Sequence, residues 1–103
     1  MIHVVAVIKA KVGKREQVLS IANENLDKVR AEDGCIEYIP VVDAEFGLFQ
    51  SVVGEDGFLV IEKWRDPEAL KAHASAPHMI EYGKKVKDLL ESRVIHVLQD
   101  APE

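Results

Sequence analysis

Side chains suited to binding a polar small molecule are concentrated between residues 62 and 82. This stretch holds the only tryptophan, two of the four histidines and one of the two tyrosines in the chain. Imidazole, indole, carboxylate and phenol groups supply the hydrogen-bond donors and acceptors with which a largely apolar pocket orients its ligand. The candidates, in chain order, are Glu62, Trp64, His73, His78 and Tyr82.

Each of these side chains also has an ordinary structural role open to it. Tryptophan is mostly a core residue, and buried polar side chains usually bond to neighbouring protein groups. Glu62 could form an ion pair with Lys63 or Arg65, and Trp64 could pack in the core. His73 could donate a hydrogen bond to a strand carbonyl, and His78 could cap the turn before its helix, next to Pro77. Tyr82 could be an ordinary half-buried core residue. Their concentration in one short stretch favours a shared site.

Other kinds of site find less support in the residue spacing. His73 and His78 are five residues apart across a helix break at Pro77, unlike the i, i+4 pair of a helical zinc site. Cys35 follows a predicted helix end without a local cation to favour the thiolate, so we expect a buried structural thiol. The sequence GEDG at 54–57 lacks the strand-to-helix context of a phosphate cradle. We expect no metal and no nucleotide.

The first half of the chain predicts two or three strands and one long helix. Residues 2–12, IHVVAVIKAKV, are apolar on both alternating faces, which is typical of a strand covered on both sides. Residues 14–33 repeat apolar positions with helical spacing, and Gly34 suits the turn after a helix. The sequence CIEYIPVVDA at 35–44 predicts a second strand, and we interpret 48–53 as a further short strand.

The second half predicts one strand, two helices and a final strand. The sequence FLVIEKW at 58–64 is typical of a strand, and Asp66 followed by proline is a strong helix start. We predict a short helix over 67–75, a second helix over 78–92, and the strand RVIHVLQ over 93–99.

Strand and helix phases indicate how these elements would enclose a cavity. Alternation puts Phe58, Val60, Glu62 and Trp64 on the inner face of their strand, and Leu59, Ile61 and Lys63 on the other face. His73 falls on the same helical side as Leu70, which should face inward. We expect a mostly apolar space between sheet and helices, into which project Glu62, Trp64, His73, Tyr82 and His78.

The resulting order, β-α-β-(β)-β-α-α-β, predicts an α+β fold of the ferredoxin-like kind, with an antiparallel sheet and helices on one face. No repeat, linker or composition shift divides the chain, so we expect one domain over 1–103. The uncovered face would expose apolar side chains from the first, third and last strands. We therefore predict a homodimer packed sheet against sheet, which is a dimeric α/β barrel.

Composition narrows the range of partners. The chain has 103 residues, of which 48% are hydrophobic and 30% charged, and its net charge is −5. An acidic chain without a cluster of lysines and arginines is a poor match for nucleic acid. The longest apolar run, Val4 to Ile8, is too short to cross a bilayer, and the single cysteine fits a reducing compartment. We expect a soluble cytoplasmic protein with a small-molecule partner.

The spacing E-x-W-x-x-x-x-A-L-x-x-H-x-x-x-x-H, from Glu62 to His78, resembles the signature of the antibiotic biosynthesis monooxygenase (ABM) superfamily. The sequence EDGCIEYIPVVD is similar to the second strand of the same family. The resemblance is strongest to bacterial quinol monooxygenases, in which GC-x-x-Y-x-P-x-VD, FQS and APHM...Y segments occur in the order seen at 34–43, 49–51 and 76–82. The likeness spans essentially the whole chain.

This resemblance implies a dimeric ferredoxin-like fold with a pocket between sheet and helices in each protomer. It also implies oxygenation of a quinol or hydroxy-aromatic by O2 without metal, flavin or haem, since a deprotonated quinol can itself give an electron to oxygen. In this likeness His73 or His78 is the base, because imidazole titrates near neutral pH. The resemblance implies that the catalytic residues are His73, His78, Trp64 and Tyr82. It implies that the substrate-binding residues are Tyr38, Glu62, Phe49 and Met79.

The superfamily leaves two alternatives, and a third comes from another class of protein. Haem-degrading members use an Asn on the first strand and a late His, whereas the first strand here has no Asn and Tyr82 stands at the helical position. Members that isomerise or degrade phosphorylated signalling sugars need a cationic phosphate site, for which the candidates are Lys84, Lys85 and Arg93. The third alternative is a non-catalytic dimeric small-molecule binder or stress protein on the same scaffold.

Overall fold

Four antiparallel strands form one sheet, and the helices pack against one of its faces. The computed structural model describes residues 1–103. In chain order the elements are β1 (Ile2–Ala10), α1 (Arg15–Arg30), β2 (Cys35–Val41), β3 (Gly57–Trp64), α2 (Pro67–Ala74), α3 (Pro77–Val86), a 3₁₀ turn (Lys87–Leu89) and β4 (Leu90–Leu98). The strands lie side by side in the order β2-β3-β1-β4. This arrangement confirms the predicted α+β ferredoxin-like fold.

The face of the sheet under the helices, which we call the helix face, carries the core. Its β1 members Val4, Ala6 and Ile8 lie opposite Glu62, Val60 and Phe58 of β3. The predicted phase of β3 is confirmed, because its buried side chains are Phe58, Val60, Glu62 and Trp64. Burying an apolar side chain of this size contributes about 1.5–3 kcal/mol to folding, so this face holds most of the stability of the sheet.

The turn between α1 and β2 depends on a glycine. Gly34 has a φ of +85°, in the left-handed region that side chains rarely adopt. A Cβ added there would lie 2.5 Å from the Cβ of Ala69 in α2. The carbonyl of Gly34 also accepts a hydrogen bond of 2.8 Å from the N–H of Arg65. The turn is therefore seated closely on α2, and it carries Glu32 toward that helix.

The start of α2 follows the sequence signals. The side chain of Asp66 accepts a hydrogen bond of 2.8 Å from the N–H of Ala69, and Pro67 occupies the first helical position. A cap of this kind satisfies an N–H that has no partner within the helix. The predicted helix start is confirmed. None of the helices is both long and apolar enough to span a membrane.

The predicted strand at 48–53 is wrong, because residues 42–56 form an irregular segment, which we call the arm. The Asp43 carboxylate accepts hydrogen bonds from the N–H groups of Val53 and Gly54, at 2.9 Å each. The Gln50 side chain bonds three backbone groups of the arm, at positions 44, 46 and 47. These side chains satisfy the backbone locally, so no strand partner is needed.

The predicted boundary between the second helix and the last strand is also wrong. We predicted a helix over 78–92, whereas α3 ends at Val86 and β4 already begins at Leu90. Leu90 pairs with Ala10 of β1, beside a register shift in the ladder. The apolar positions that continue the helical spacing are therefore used by long-range strand pairing, which overrides a weak local preference.

The other face of the sheet, which we call the open face, has no helix over it. Its apolar members are Val5, Val7, Ile39, Val41, Leu59, Ile61, Val94 and Leu98. Ile39 and Val94 are 42% and 49% exposed. Strand β4 lies at the edge of the sheet and is exposed along almost its whole length. A contiguous uncovered apolar face of this kind is the feature from which a homodimer was predicted.

Candidate active site

A cavity of about 220 Å³ lies between the helix face of the sheet and helices α2 and α3. Its apolar lining comes from Val4, Ala6, Ile8 and Val60 on the central strands, Leu70, Ala74 and Met79 on the helices, and Ile95 on β4. Its polar lining consists of Tyr38, Glu62, His73, Tyr82 and Arg93. A mostly apolar enclosure with a few convergent polar groups is the usual form of a small-molecule site.

Several polar atoms of the cavity lining have no hydrogen-bond partner in the chain. They are Nε2 of His73, Oε2 of Glu62 and the hydroxyls of Tyr38 and Tyr82. Every fully buried side-chain nitrogen or oxygen in the protein has a partner, so these atoms are not sealed in the core. They are left to interact with a ligand.

Trp64 lies behind the cavity wall rather than in it, contrary to the expectation that it projects into the space. It is fully buried, and its Nε1–H donates a hydrogen bond of 2.9 Å to Oε1 of Glu62. Its ring packs against the His73 imidazole with centroids 4.6 Å apart and a tilt of 34°. Trp64 therefore holds both Glu62 and His73 in place.

Glu32 joins the two candidate histidines through one atom. Its Oε2 lies 2.8 Å from Nδ1 of His73 and 2.9 Å from Nε2 of His78. A carboxylate only accepts hydrogen bonds, so each of these nitrogens is the donor. A neutral His73 then carries its lone pair on Nε2, which is the nitrogen without a protein partner. This geometry suits His73 to receive a proton from a ligand in the cavity.

His78 does not line the cavity. It lies at a second, more polar pocket of about 180 Å³ between α1 and α3, together with Glu24, Lys28, Glu81 and Lys85. Its imidazole therefore stands on the outer side of Glu32 and His73 on the inner side. The two histidines occupy different surroundings although they share one partner.

Phe49 stands apart from the other predicted site residues. It is fully exposed on the arm and has a φ of 57°. The structure thus brings five of the eight predicted residues together at the cavity, and these are Tyr38, Glu62, His73, Met79 and Tyr82. It places Trp64 behind them, His78 beyond Glu32, and Phe49 in solvent.

Burial keeps the phenols of the site in their neutral form. It raises the pKa of Tyr38 well above its ordinary value, and the nearby Glu62 charge raises it further. Burial also raises the pKa of Tyr82, against the opposing effect of the Arg93 charge. Both phenols therefore keep their protons near neutral pH and can donate a hydrogen bond to a ligand oxygen.

The acid and thiol groups nearby are also affected by burial. Burial raises the pKa of Glu62, while the hydrogen bond from Trp64 and the charge of His73 oppose this effect. The pKa of the half-buried Cys35 thiol is raised by burial and by the Glu32 charge. This fits the expectation that Cys35 is not an activated nucleophile. No three His, Cys, Asp or Glu side chains are arranged to hold a metal ion.

Two residues of the site were not assigned to it from the sequence. Glu32 is 41 residues from His73 and 46 from His78, so no local spacing links it to them. The available signal was the acidic pair Glu32 and Asp33 that precedes Gly34 in the turn after α1. Arg93 was considered only as a cation for phosphate, because the faces of the last strand were not assigned from the sequence.

The family model described as antibiotic biosynthesis monooxygenase matches residues 1–85 of this chain. The chain belongs to the antibiotic biosynthesis monooxygenase family. The resemblance seen in the spacing of Glu62, Trp64, His73 and His78 is thereby confirmed. Family membership establishes the class of protein and leaves the substrate to be argued from the site.

Individual ABM relatives extend the match to nearly the full length. The Escherichia coli K12 protein named probable quinol monooxygenase YgiN is 35% identical over 102 residues, covering 96% of this chain and 97% of its own. YcnE of Bacillus subtilis is 37% identical over 92 residues, which cover 89% of this chain and 88% of YcnE. Among solved structures, PA3566 of Pseudomonas aeruginosa superposes with a TM-score of 0.82 at 26% identity, and the match covers 98% of this chain and 94% of PA3566.

Proposed function

We propose that this protein is a monooxygenase that oxidises a quinol or a related hydroxy-aromatic with O2 and without a bound cofactor. One observation carries the proposal. The Nε2 of His73, the hydroxyls of Tyr38 and Tyr82 and the Arg93 side chain meet at an apolar cavity between sheet and helices. A base facing neutral donors and a cation is suited to removing a phenolic proton and holding the resulting oxyanion.

The proposed reaction begins with proton transfer. His73 Nε2 takes the hydrogen of a quinol hydroxyl, so that an O–H bond breaks and an N–H bond forms. Arg93 and the tyrosine O–H groups stabilise the anion, which is a strong enough electron donor to reduce O2. One oxygen atom then bonds to a ring carbon, the O–O bond breaks, and the other atom leaves as water. For a naphthoquinol the products are one hydroxynaphthoquinone and one water, which balances all atoms.

The size of the cavity narrows the substrate. Its volume of about 220 Å³ lies below the range of about 300–1,000 Å³ found for sites of drug-sized ligands. One or two fused rings would fill such a space, whereas a long isoprenoid tail would have to remain outside. The apolar walls also exclude water from the anion and admit O2.

We also propose that the working form is a homodimer in which a second copy covers the open face. The apolar side chains of β1, β3 and β4 supply a contiguous surface for that packing. Strand β4 contributes Arg93 and Ile95 to the cavity although no helix of its own chain covers it. A second copy would therefore support one wall of the cavity as well as bury the open face.

A phosphorylated sugar is less well supported as a substrate. Of the three cations weighed for a phosphate group, only Arg93 lines the cavity. Lys85 lines the second pocket, and Lys84 is exposed. A single cation beside two phenols favours a singly charged oxyanion over a phosphate.

Oxygen labelling tests the proposed function. Reduced 2-methyl-1,4-naphthoquinone would be supplied with ¹⁸O2 and the product analysed by mass spectrometry. We expect one ¹⁸O atom in the hydroxylated product, at a rate that exceeds the protein-free control and survives dialysis against a chelator. Unlabelled quinone formed at the background rate would refute the monooxygenase, and saturable binding without turnover would indicate the non-catalytic binder. Loss of turnover after dialysis, restored by a metal, would refute cofactor independence.

A further inference from the structure

Glu32 is the only side chain that is hydrogen-bonded to both histidines, and both bonds go to a single oxygen atom. We propose that Glu32 is the positioning residue of His73, and that His78 sets, from the outer side, how strongly Glu32 acts on it. The inference rests on the proposed function in taking His73 as the group that receives the substrate proton. It goes further in assigning Glu32 and His78 linked roles that the family signature does not contain.

The geometry of His73 shows why Glu32 would position it. The bond from Nδ1 to Glu32 fixes the tautomer, so the lone pair of the neutral ring is on Nε2. Trp64 packs on one face of the ring, and the edge of Tyr38 approaches it with centroids 5.6 Å apart. The ring is therefore held in one orientation. The negative carboxylate also stabilises the imidazolium that forms when the proton arrives.

Partial burial makes this charge effective. The side chains of His73 and Glu32 are only 9% and 13% exposed, so solvent screens their interaction less than it screens a surface pair. The 20% exposed His78 side chain is the more accessible of the two histidines.

Sharing one oxygen couples the two rings. When His78 is protonated, its positive charge sits 2.9 Å from the atom that also binds His73. It then offsets part of the negative charge that Glu32 presents to His73, so the imidazolium of His73 is stabilised less. When His78 is neutral, Glu32 acts more fully on the base. Protonation of His78 in the outer pocket thus lowers the affinity of His73 for its proton.

Other charges surround each ring without bonding to Glu32. The groups facing His73 are Glu62 on β3, Tyr38 on β2, Tyr82 on α3 and Arg93 on β4. The groups around His78 are Glu24 and Lys28 on α1, and Glu81, Lys85 and the neutral Tyr82 on α3, so that Tyr82 borders both pockets. In the outer set two carboxylates accompany two ammonium groups, so their charges largely balance. The shared Glu32 oxygen is the atom that is hydrogen-bonded to both rings.

The pH dependence of kcat/KM tests the coupling through two substitutions with opposite expected signs. Glu32→Gln removes the charge that stabilises the imidazolium, so the acid limb should move to lower pH and kcat should fall about 10- to 100-fold. His78→Ala removes a competing donor, so the acid limb should move to higher pH. His78→Gln keeps an N–H donor but carries no charge, so its acid limb should also lie at higher pH than that of wild type. The proposal would be overturned if the acid limb did not move in either Glu32→Gln or His78→Ala, or if it moved in the same direction in both.

Imidazole ¹⁵N chemical shifts of the ligand-free protein test the positioning without any turnover. We expect the neutral His73 proton on Nδ1 and the neutral His78 proton on Nε2, and we expect Glu32→Ala to leave His73 as a mixture of tautomers. Asp33→Asn is the matched control, because the neighbouring carboxylate bonds Arg65 and neither histidine. An unchanged His73 tautomer in folded Glu32→Ala protein would overturn the positioning role. Absence of quinol oxidation with the expected tautomers would instead refute only the proposed function.

Discussion

The two faces of the sheet are built from the same strands, yet they meet very different surroundings. On the helix face, Glu62 is buried and its Oε1 accepts the Trp64 N–H. On the open face, the adjacent Lys63 reaches Glu37 at 3.3 Å in solvent. A polar group acts more strongly on a ligand when water is excluded around it. This contrast is the basis on which we propose chemistry at the helix face and assembly at the open face.

The largest expected difference between the faces concerns two histidines. His73→Ala removes the proposed base, so turnover of the naphthoquinol should fall by about 10²- to 10⁴-fold. His3 on the open face bonds Asp100 at 2.7 Å and lies away from the cavity, so His3→Ala should leave turnover near wild type. The measurement is the rate of ¹⁸O incorporation in both variants. Equal losses in the two variants would erase the functional distinction between the faces.

Two neighbouring residues of β3 compare the faces in stability. Phe58 is fully buried on the helix face, so Phe58→Ala should lower the free energy of unfolding by about 3–5 kcal/mol. Leu59→Ala, on the open face, should have an effect that depends on protein concentration, because the proposed dimer would bury this side chain. Denaturant unfolding at two protein concentrations measures both. A loss of stability in Leu59→Ala that does not depend on protein concentration would contradict the proposed dimer.

A charge placed on the open face should break the proposed dimer. Ile61 pairs with Val5 and Ile39 at the centre of that face. Ile61→Glu would bury an unpaired carboxylate against a second copy, at a cost of about 3 kcal/mol or more, so the dissociation constant should rise about 100-fold or more. Sedimentation equilibrium measures it, with Lys63→Gln, near the end of the same strand, as a control that adds no negative charge. A monomeric wild-type protein, or an Ile61→Glu dimer of unchanged affinity, would contradict the prediction.

The turn that brings Glu32 to the helix face offers a smaller effect. Gly34→Ala combines a left-handed φ of +85° with a 2.5 Å approach to the Ala69 Cβ, so it should destabilise the fold by about 1–3 kcal/mol. Adding Ala69→Gly should restore the part of the loss that comes from the steric contact. Thermal unfolding of the single and double variants checks this. An unaffected single variant would show that the turn has room to shift.

The smallest expected effect is a change in pH dependence at Glu62. Because burial raises the pKa of Glu62, folding favours its neutral form, and its contribution to stability is lost as pH rises through the folded-state pKa. Glu62→Gln cannot ionise and keeps an acceptor for Trp64. Its stability relative to wild type should therefore increase as pH rises from about 4 to about 8. Glu37→Gln on the open face should show no such increase in urea unfolding, and parallel curves for the two variants would contradict the assignment.

Local rules predicted the parts of the fold that local physics decides. The phase of β3 and the Asp66 cap follow from alternation and from an N–H without a helical partner. The irregular structure of the arm could not be predicted from apolar spacing, because hydrogen bonds of the Asp43 and Gln50 side chains replace strand pairing there. Leu90 was predicted to be helical, because its pairing with Ala10 is a long-range contact that local spacing does not reveal.

The site was predictable only where chemistry and element phase coincided. Glu62 and His73 lie on elements whose phase was clear, so their meeting at the cavity could be expected. Trp64 shares that phase, but its size and its bond to Glu62 hold it in the core. Glu32 could not be found, because its proximity to both histidines depends on how the Gly34 turn sits against α2.

Strand β4 is a wall of the cavity that only one neighbour holds in the sheet. It bonds to β1 alone, lies at the sheet edge and ends near the C-terminus, yet it carries Arg93 and Ile95. Local opening of such a strand costs less free energy than global unfolding, so its amides should exchange with deuterium faster than those of β1. Fluctuation of this edge would control how readily a ring enters and leaves, and a bound ring would slow amide exchange along β4 first.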